Sequence, residues 1–242
     1  MVKIFKDADA LSLAAAEIFV EAAREAIEAR GKFTVALTGG SSPAKLYRLL
    51  ASEAYKKQMN WNKVFVFWGD ERWVPISDEK SNAGAAFHDL LDHVLIPGNH
   101  IFPMWADETE PKVRAEAYEK LLHEYLDNGK FDLILSGMGD DGHTASLFPG
   151  TKILHEQEKW VDAYYLESQK MFRITLTAPL INKARKNIVL VFGANKANAL
   201  YEVISGERNF EKYPSQLLNP SENGELLFLT DEAAAQKLPQ DI

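Results

Sequence analysis

Two hydrophobic periods alternate along this chain of 242 residues. Over residues 7–30, Leu11, Ala15, Ile18, Ala22 and Ala26 recur at helical spacing, with Asp7 or Asp9 as a cap and Gly31 as a stop. Phe33–Leu37 is a short unbroken apolar run, the pattern of a buried strand. Pro43 then opens a second predicted helix through Leu46, Tyr47, Leu49 and Leu50, because its missing N–H would have had no partner in a first turn. The alternation continues with a strand at Val64–Trp68, helices over 81–95 and 111–128, and a strand over 131–135. Further strands are predicted over 160–166, 172–176 and 188–192, followed by a helix over 196–204. A last strand covers 226–229, and Asp231 can cap a terminal helix. Continuously apolar strands separated by helices indicate an α/β fold, a mostly parallel sheet with helices on both faces. No internal repeat or interdomain linker interrupts the pattern, so one domain is expected over residues 1–242.

Composition narrows the partners. The net charge of -8 argues against nucleic acid or an anionic membrane, both of which reward a basic face. A small anionic ligand stays open, provided that Arg, Lys or backbone N–H groups are placed locally to receive it. Cysteine is absent, which excludes disulfides, a thiol nucleophile and thiolate metal sites. Residues 1–5 do not begin a signal-peptide pattern, and no apolar run approaches the ~20 residues of a membrane-spanning helix. A cytoplasmic globular protein is expected.

In open α/β sheets, ligands bind beyond the carboxyl ends of the strands. Four polar, glycine-containing loops follow predicted strands. After the first strand come Thr38, Gly39, Gly40, Ser41, Ser42 and Pro43. The glycines permit close backbone approach and the hydroxyls and helix start can cradle a phosphate, although a plain strand-to-helix turn has the same composition. The loop matches neither a nucleotide-binding Gly-x-x-x-x-Gly-Lys-Ser pattern nor Gly-x-Gly-x-x-Gly. After the second strand, Asp70, Glu71 and Arg72 sit between Trp68 and Trp73. A charged triplet is ordinarily solvated, but Arg72 can neutralise a substrate or a developing oxyanion.

The third loop carries the most chemistry. Gly137, Gly139 and Gly142 surround Asp140, Asp141 and His143. Of six histidines, His143 alone has such a setting, and an imidazole can take a proton from water near neutrality. Asp141 can orient the ring or hold a substrate hydroxyl. His88, His93, His100, His123 and His155 lie in ordinary helical or loop contexts. Strand alternation puts Arg173, Thr175 and Thr177 on one side. Lys196 opens a helix, where a cation is disfavoured unless it shares an anion with the helix terminus. No metal-ligand spacing and no Gly-x-Ser-x-Gly elbow is present, which leaves activated water as the nucleophile.

Leu-Thr-Gly-Gly-Ser-Ser-Pro (37–43), Trp-Gly-Asp-Glu-Arg-Trp-Val-Pro (68–75), the Gly-Met-Gly-Asp-Asp-Gly-His-Thr-Ala-Ser-Leu-Phe-Pro-Gly stretch (137–150) and Arg-Ile-Thr-Leu-Thr (173–177) together resemble the 6-phosphogluconolactonase family. The match is colinear over nearly the whole chain. It implies a Rossmann-like sheet of the sugar-phosphate isomerase and deaminase type. It also implies hydrolysis of 6-phospho-D-glucono-1,5-lactone to 6-phospho-D-gluconate, with no cofactor and no metal. The phosphate is expected on Gly39, Gly40, Ser41, Ser42, Arg173 and Lys196, and the chemistry on His143, Asp141 and Arg72. The expected partner is the phosphorylated sugar lactone, bound by a monomer or small homo-oligomer. The related deaminases typically carry Asn-Glu-Pro after the histidine, whereas this chain reads Ser146-Leu147-Phe148-Pro149 and lacks that carboxylate. Ser42 stands where Thr is common and Asp140 where Pro is common, both compatible with the loops. A non-catalytic sugar-phosphate sensor is the remaining alternative, but it would usually lose the histidine and gain a DNA-binding module.

Overall fold

A computed structural model of the chain describes residues 1–40 and 42–239. Its strands are β1 (Val2–Phe5), β2 (Phe33–Leu37), β3 (Val64–Trp68), β4 (Asp70–Arg72), β5 (Leu133–Gly137), β6 (Val161–Leu166), β7 (Met171–Leu176), β8 (Lys186–Val191) and β9 (Glu225–Asp231). The helices are α1 (Ala8–Arg30), α2 (Ala44–Ala51), α3 (Glu53–Lys56), α4 (Asn82–Asp89), α5 (Pro111–Tyr125), α6 (Ala178–Ile181), α7 (Ala197–Ser205) and α8 (Glu232–Ala235).

Six strands form one parallel sheet in the order β1-β9-β8-β5-β2-β3. Every residue of β2 is buried, and so is every residue of β8 after Lys186, so helices and loops cover both faces. That explains why these strands read as unbroken apolar runs without alternation. From β2 the chain steps outward to β3, then returns to β5 on the other flank of β2. The strand order therefore reverses between β2 and β5, and a crevice opens at their carboxyl ends. The Gly39–Gly40 loop and the 138–143 loop leave the sheet on its two sides.

A second sheet, β4-β7-β6, is antiparallel. Gly69 joins it to the first. Its N–H donates to Leu37 O at 2.8 Å, and its carbonyl accepts from Leu176 N at 2.8 Å. The small sheet thereby hangs from the carboxyl end of β3 beside the crevice.

Three expectations change. Residues 70–72, read as a loop, are strand β4; Asp-Glu-Arg has little intrinsic strand preference, and pairing with β7 overrides it. Strands β6 and β7 belong to the separate antiparallel sheet and leave the parallel order to the others. An edge strand, β1, precedes α1; at four residues with Lys3 and Ile4 exposed, it has no periodicity to read. Two helices are also shorter than predicted. The helix over 81–95 gives way after Asp89, where Leu90 leaves the helical region. The one over 111–128 stops at Tyr125, since Leu126 is extended and Asn128 is left-handed.

Helix α1 is bounded as its sequence predicts. Asp7 accepts from the N–H groups of Asp9 and Ala10, and Gly31 ends it at φ 74°. Its small residues Ala15, Ala16, Ala22, Ala23 and Ala26 are buried and let it lie close to the sheet. At the amino end of the sheet, Asp132 ties β2 to β5. It accepts from Thr34 N and Oγ1 at 2.8 and 3.0 Å and pairs with Arg30 at 2.8 Å and Arg185 at 3.4 Å. Replacing it strands buried donors, so Asp132→Ala is expected to lower stability by about 2–3 kcal/mol in urea unfolding, with the m-value unchanged. A loss below about 0.5 kcal/mol would contradict the tie.

Candidate active site

Beyond β5 the chain makes a tight loop. Gly139 N donates to His143 O at 2.8 Å, and Gly142 N to Gly139 O at 3.1 Å. Asp141 Oδ1 accepts from His143 N at 3.0 Å and lies 2.6 Å from His143 Nδ1. A Cβ on Gly139 would collide with both His143 Nδ1 and Asp141 Oδ1, so the pair needs glycine there. Gly142 is left-handed at φ 78°, and its carbonyl accepts from Ser215 N at 2.8 Å, which anchors the loop from outside. Burial works to raise the Asp141 carboxyl, but the His143 ring and the backbone N–H bond outweigh it and hold the group below its usual value. An ionised carboxylate can only accept, so Nδ1 carries the proton and Nε2 keeps its lone pair. The imidazole is about a quarter exposed, at 28%, and therefore reachable by water.

The segment after His143 is pinned from below. Ala145 adopts φ 47°. Ser146 is fully buried; its Oγ donates to Asp70 Oδ2 at 2.5 Å, its N–H to Thr175 Oγ1 at 3.2 Å, and its carbonyl accepts from Tyr164 OH at 2.6 Å. Phe148 is thereby placed with its ring stacked on the His143 imidazole, centroids 4.1 Å apart and planes at 24°.

Cations gather at the other end. Arg72 and Arg173 are direct cross-strand partners of β4 and β7, so they point to the same side. Like charges opposite one another are unfavourable by themselves, and the arrangement makes sense where an anion is shared. Asp70 Oδ2 lies 3.8 Å from Arg173 Nη1, and Gln169 accepts from Arg173 Nη2. Burial lowers the Arg173 pKa, with Asp70 opposing it. Arg72 Nη1 donates to Lys80 O at 2.6 Å, while the Nε atoms of Arg72 and Arg173 are buried without a partner among the described residues. Lys196 stands at the start of α7 and makes no ion pair among the described residues.

Gly39, Gly40 and Ser42 complete that end, between β2 and α2. Tyr47 holds this turn, donating from its hydroxyl to Thr38 O at 2.7 Å and accepting from Thr38 N at 3.1 Å. A Cβ on Gly39 would strike the Asn82 side chain, whose Nδ2 donates to Asp70 O and Oδ1. Asn82 is itself set by Glu71, which accepts from Asn82 N, Ala83 N and Ser81 Oγ at the start of α4. Burial pushes the Glu71 carboxyl up to about 7, against the backbone N–H bonds.

His143, Arg72, Arg173, Lys196, Gly39, Gly40 and Ser42 line a single cavity of about 220 Å³. Asp141 stands behind His143 on its Nδ1 side. Ser41 lies outside the described residues. Thr175 shares the Arg173 face but is used by Ser146, and Thr177 donates to Lys159 O instead. Asp70, Asn82, Phe148 and Gln169 also line the cavity, although the sequence assigned them no role there. For Asp70 the signal was its place between Trp68 and Trp73, which disfavours full exposure. Asn82, in a predicted helix, and Gln169, in the short connection between β6 and β7, had none. Among the described residues no three His, Asp or Glu side chains gather as a metal site.

The profile of the family described as glucosamine-6-phosphate isomerases/6-phosphogluconolactonase matches residues 6–228. A 6-phosphogluconolactonase of Synechocystis sp. is 41% identical over 219 residues, 88% of each chain. One of Nostoc sp. is 38% identical over 242 residues, 98% of each chain. Among solved structures, the 6-phosphogluconolactonase of Trypanosoma brucei superposes with a TM-score of 0.86 at 28% identity, covering 99% of this chain and 98% of its own. With a profile match over most of its length and relatives this similar end to end, the chain belongs to the glucosamine-6-phosphate isomerase/6-phosphogluconolactonase family.

Proposed function

We propose that this cavity hydrolyses 6-phospho-D-glucono-1,5-lactone to 6-phospho-D-gluconate. The observation that carries the reading is one cavity lined both by an imidazole oriented through Asp141 and by Arg72, Arg173, Lys196 and the Gly39–Gly40 turn. The names of the relatives support the same substrate. The phosphate rests on the Gly39–Gly40 turn, Ser41, Ser42, Arg173 and Lys196. This places the lactone carbonyl toward His143 and a water.

Nε2 of His143 takes a proton as the water oxygen bonds to C1. Charge on the carbonyl oxygen, or on the substrate as a whole, is met by Arg72. The tetrahedral intermediate then collapses, the bond from C1 to the ring oxygen breaks, and the imidazolium returns its proton to that oxygen. The acid so formed ionises near neutrality, so turnover releases one proton to solution. Asp141 keeps the productive tautomer and steadies the imidazolium, a carboxylate–imidazole arrangement of general use. No side chain becomes covalently attached.

An isomerase or deaminase needs a base for a carbon-bound proton. Here the segment after His143 brings Phe148 to the cavity, not a carboxylate. The same reading treats residues 1–242 as one cytoplasmic domain, monomeric or a small homo-oligomer, with a sugar-phosphate partner and no nucleic acid. No helix among the described residues is long and apolar enough to cross a membrane.

Acid release from freshly made 6-phosphogluconolactone, above the spontaneous rate and unaffected by chelator, is the direct test. His143→Ala is expected to lose about 10²–10⁴-fold in kcat. Arg173→Ala and Lys196→Ala are expected chiefly to raise KM, since phosphate contacts are similar in ground and transition states. A near-wild-type rate for the histidine variant, or unchanged KM in both cation variants, overturns the assignment. Asp141→Asn presents an amide N–H that can donate to Nδ1 and strand the proton on Nε2, so kcat should fall about 10²-fold or more with KM little altered. Equal kcat for Asp141→Asn and the native enzyme in the same assay would remove Asp141 from the mechanism.

A further inference from the structure

Phe148 stands against both the general base and a cation of the cavity. Its ring stacks on the His143 imidazole at 4.1 Å, and the Arg173 guanidinium carbon lies 5.5 Å from the same ring's centroid. The residue is buried at 7% exposure, and its backbone is fixed locally. Its carbonyl accepts from Thr151 Oγ1 at 2.6 Å, in a turn where Gly150 adopts φ 67° and donates to Glu211 O. The ring therefore has little freedom to leave either neighbour.

Resting on the hydrolase reading above, we propose that Phe148 is a positioning residue that sets the imidazole plane and the guanidinium together, holding the general base and the phosphate grip at one fixed separation. Asp141 holds the imidazole at one edge, through Nδ1. A flat ring stacked on the imidazole face adds a second restraint, against tilting of the ring plane. The same π-system attracts the imidazolium that forms during proton transfer and the Arg173 guanidinium. A hydrocarbon spacer does this without taking a proton from His143 or capturing Arg173 in an ion pair. A carboxylate in its place would do both. Among the described residues, Arg173 is otherwise held by Asp70 and Gln169, and its Nε has no partner.

The variant pair Phe148→Leu and Phe148→Tyr tests this. Leucine fills similar space without a π-face, and tyrosine keeps the ring. For Phe148→Leu we expect kcat to fall about tenfold and KM for the phosphorylated lactone to rise severalfold, a joint loss that neither His143→Ala nor Arg173→Ala shows by itself. With unphosphorylated gluconolactone only the kcat loss should remain, because Arg173 then has no phosphate to hold. Phe148→Tyr should restore both constants to within about threefold of native. Kinetic constants within twofold of native for Phe148→Leu overturn the proposal, and so does a tyrosine variant as impaired as the leucine one. The NMR signals of the His143 ring protons give a readout independent of turnover. Stacking shifts them upfield in the native protein, and the shift should vanish in Phe148→Leu and persist in Phe148→Tyr. An unchanged shift in the leucine variant overturns the positioning role even if the native protein is active. A native protein with the shift but no lactonase activity would instead sink the functional reading.

Discussion

Parallel pairing of β2 with β5 organises everything around the site. Because β3 lies on one flank of β2 and β5 on the other, the loops that follow β2 and β5 diverge at the sheet edge and leave a crevice. Parallel strands place all their carboxyl ends on one rim, so the glycine turn, the histidine loop and the start of α7 face a common space. The antiparallel sheet, suspended from β3 through Gly69, brings β4 and β7 to the same rim. Asp132 closes the opposite end of the β2–β5 pair. That end is cross-linked by charge, and the opposite end carries the cavity.

Charge is concentrated within an acidic molecule. The chain carries a net charge of -8, yet Arg72, Arg173 and Lys196 converge on one cavity. Two of them are cross-strand neighbours, an arrangement unfavourable by itself. Asp70 moderates that repulsion from below and holds Ser146, so the same buried carboxylate steadies both the cationic end and the segment leading from His143 to Phe148. The two ends of the cavity are mechanically connected through Asp70, Ser146 and the phenyl ring.

Each rigid contact in the loop has a local chemical cause. Gly139 leaves room for the His143–Asp141 bond, and Gly39 leaves room for Asn82. Asp141 remains an acceptor because it is bonded to N–H groups, and this decides which imidazole nitrogen is basic. Glu71, which looked like part of a solvated triplet, is instead a buried cap that sets the first turn of α4 and through it Asn82.

The α/β architecture was legible in the amino-acid order, since runs such as Phe33–Leu37 and Val64–Trp68 are almost wholly apolar and separated by amphipathic helices. That order also determined which loops are polar and glycine-rich, and so pointed to His143, Asp141, Arg72, Arg173 and Lys196. These signals are local, carried by neighbours in the chain. Packing in three dimensions set the rest: that Asp-Glu-Arg at 70–72 is a strand, that Arg72 and Arg173 stand opposite each other, and that Asn82 and Gln169 reach the cavity. The first two depend on pairing between segments about a hundred residues apart, and Asn82 depends on contacts with Asp70 and Glu71 across a loop; burial and cross-strand contact supply the free energy and leave no periodic trace in the segments. The role proposed for Phe148 belongs to the same class: it rests on the imidazole and the guanidinium that the fold sets against its ring, neither of which is its neighbour in a predicted element.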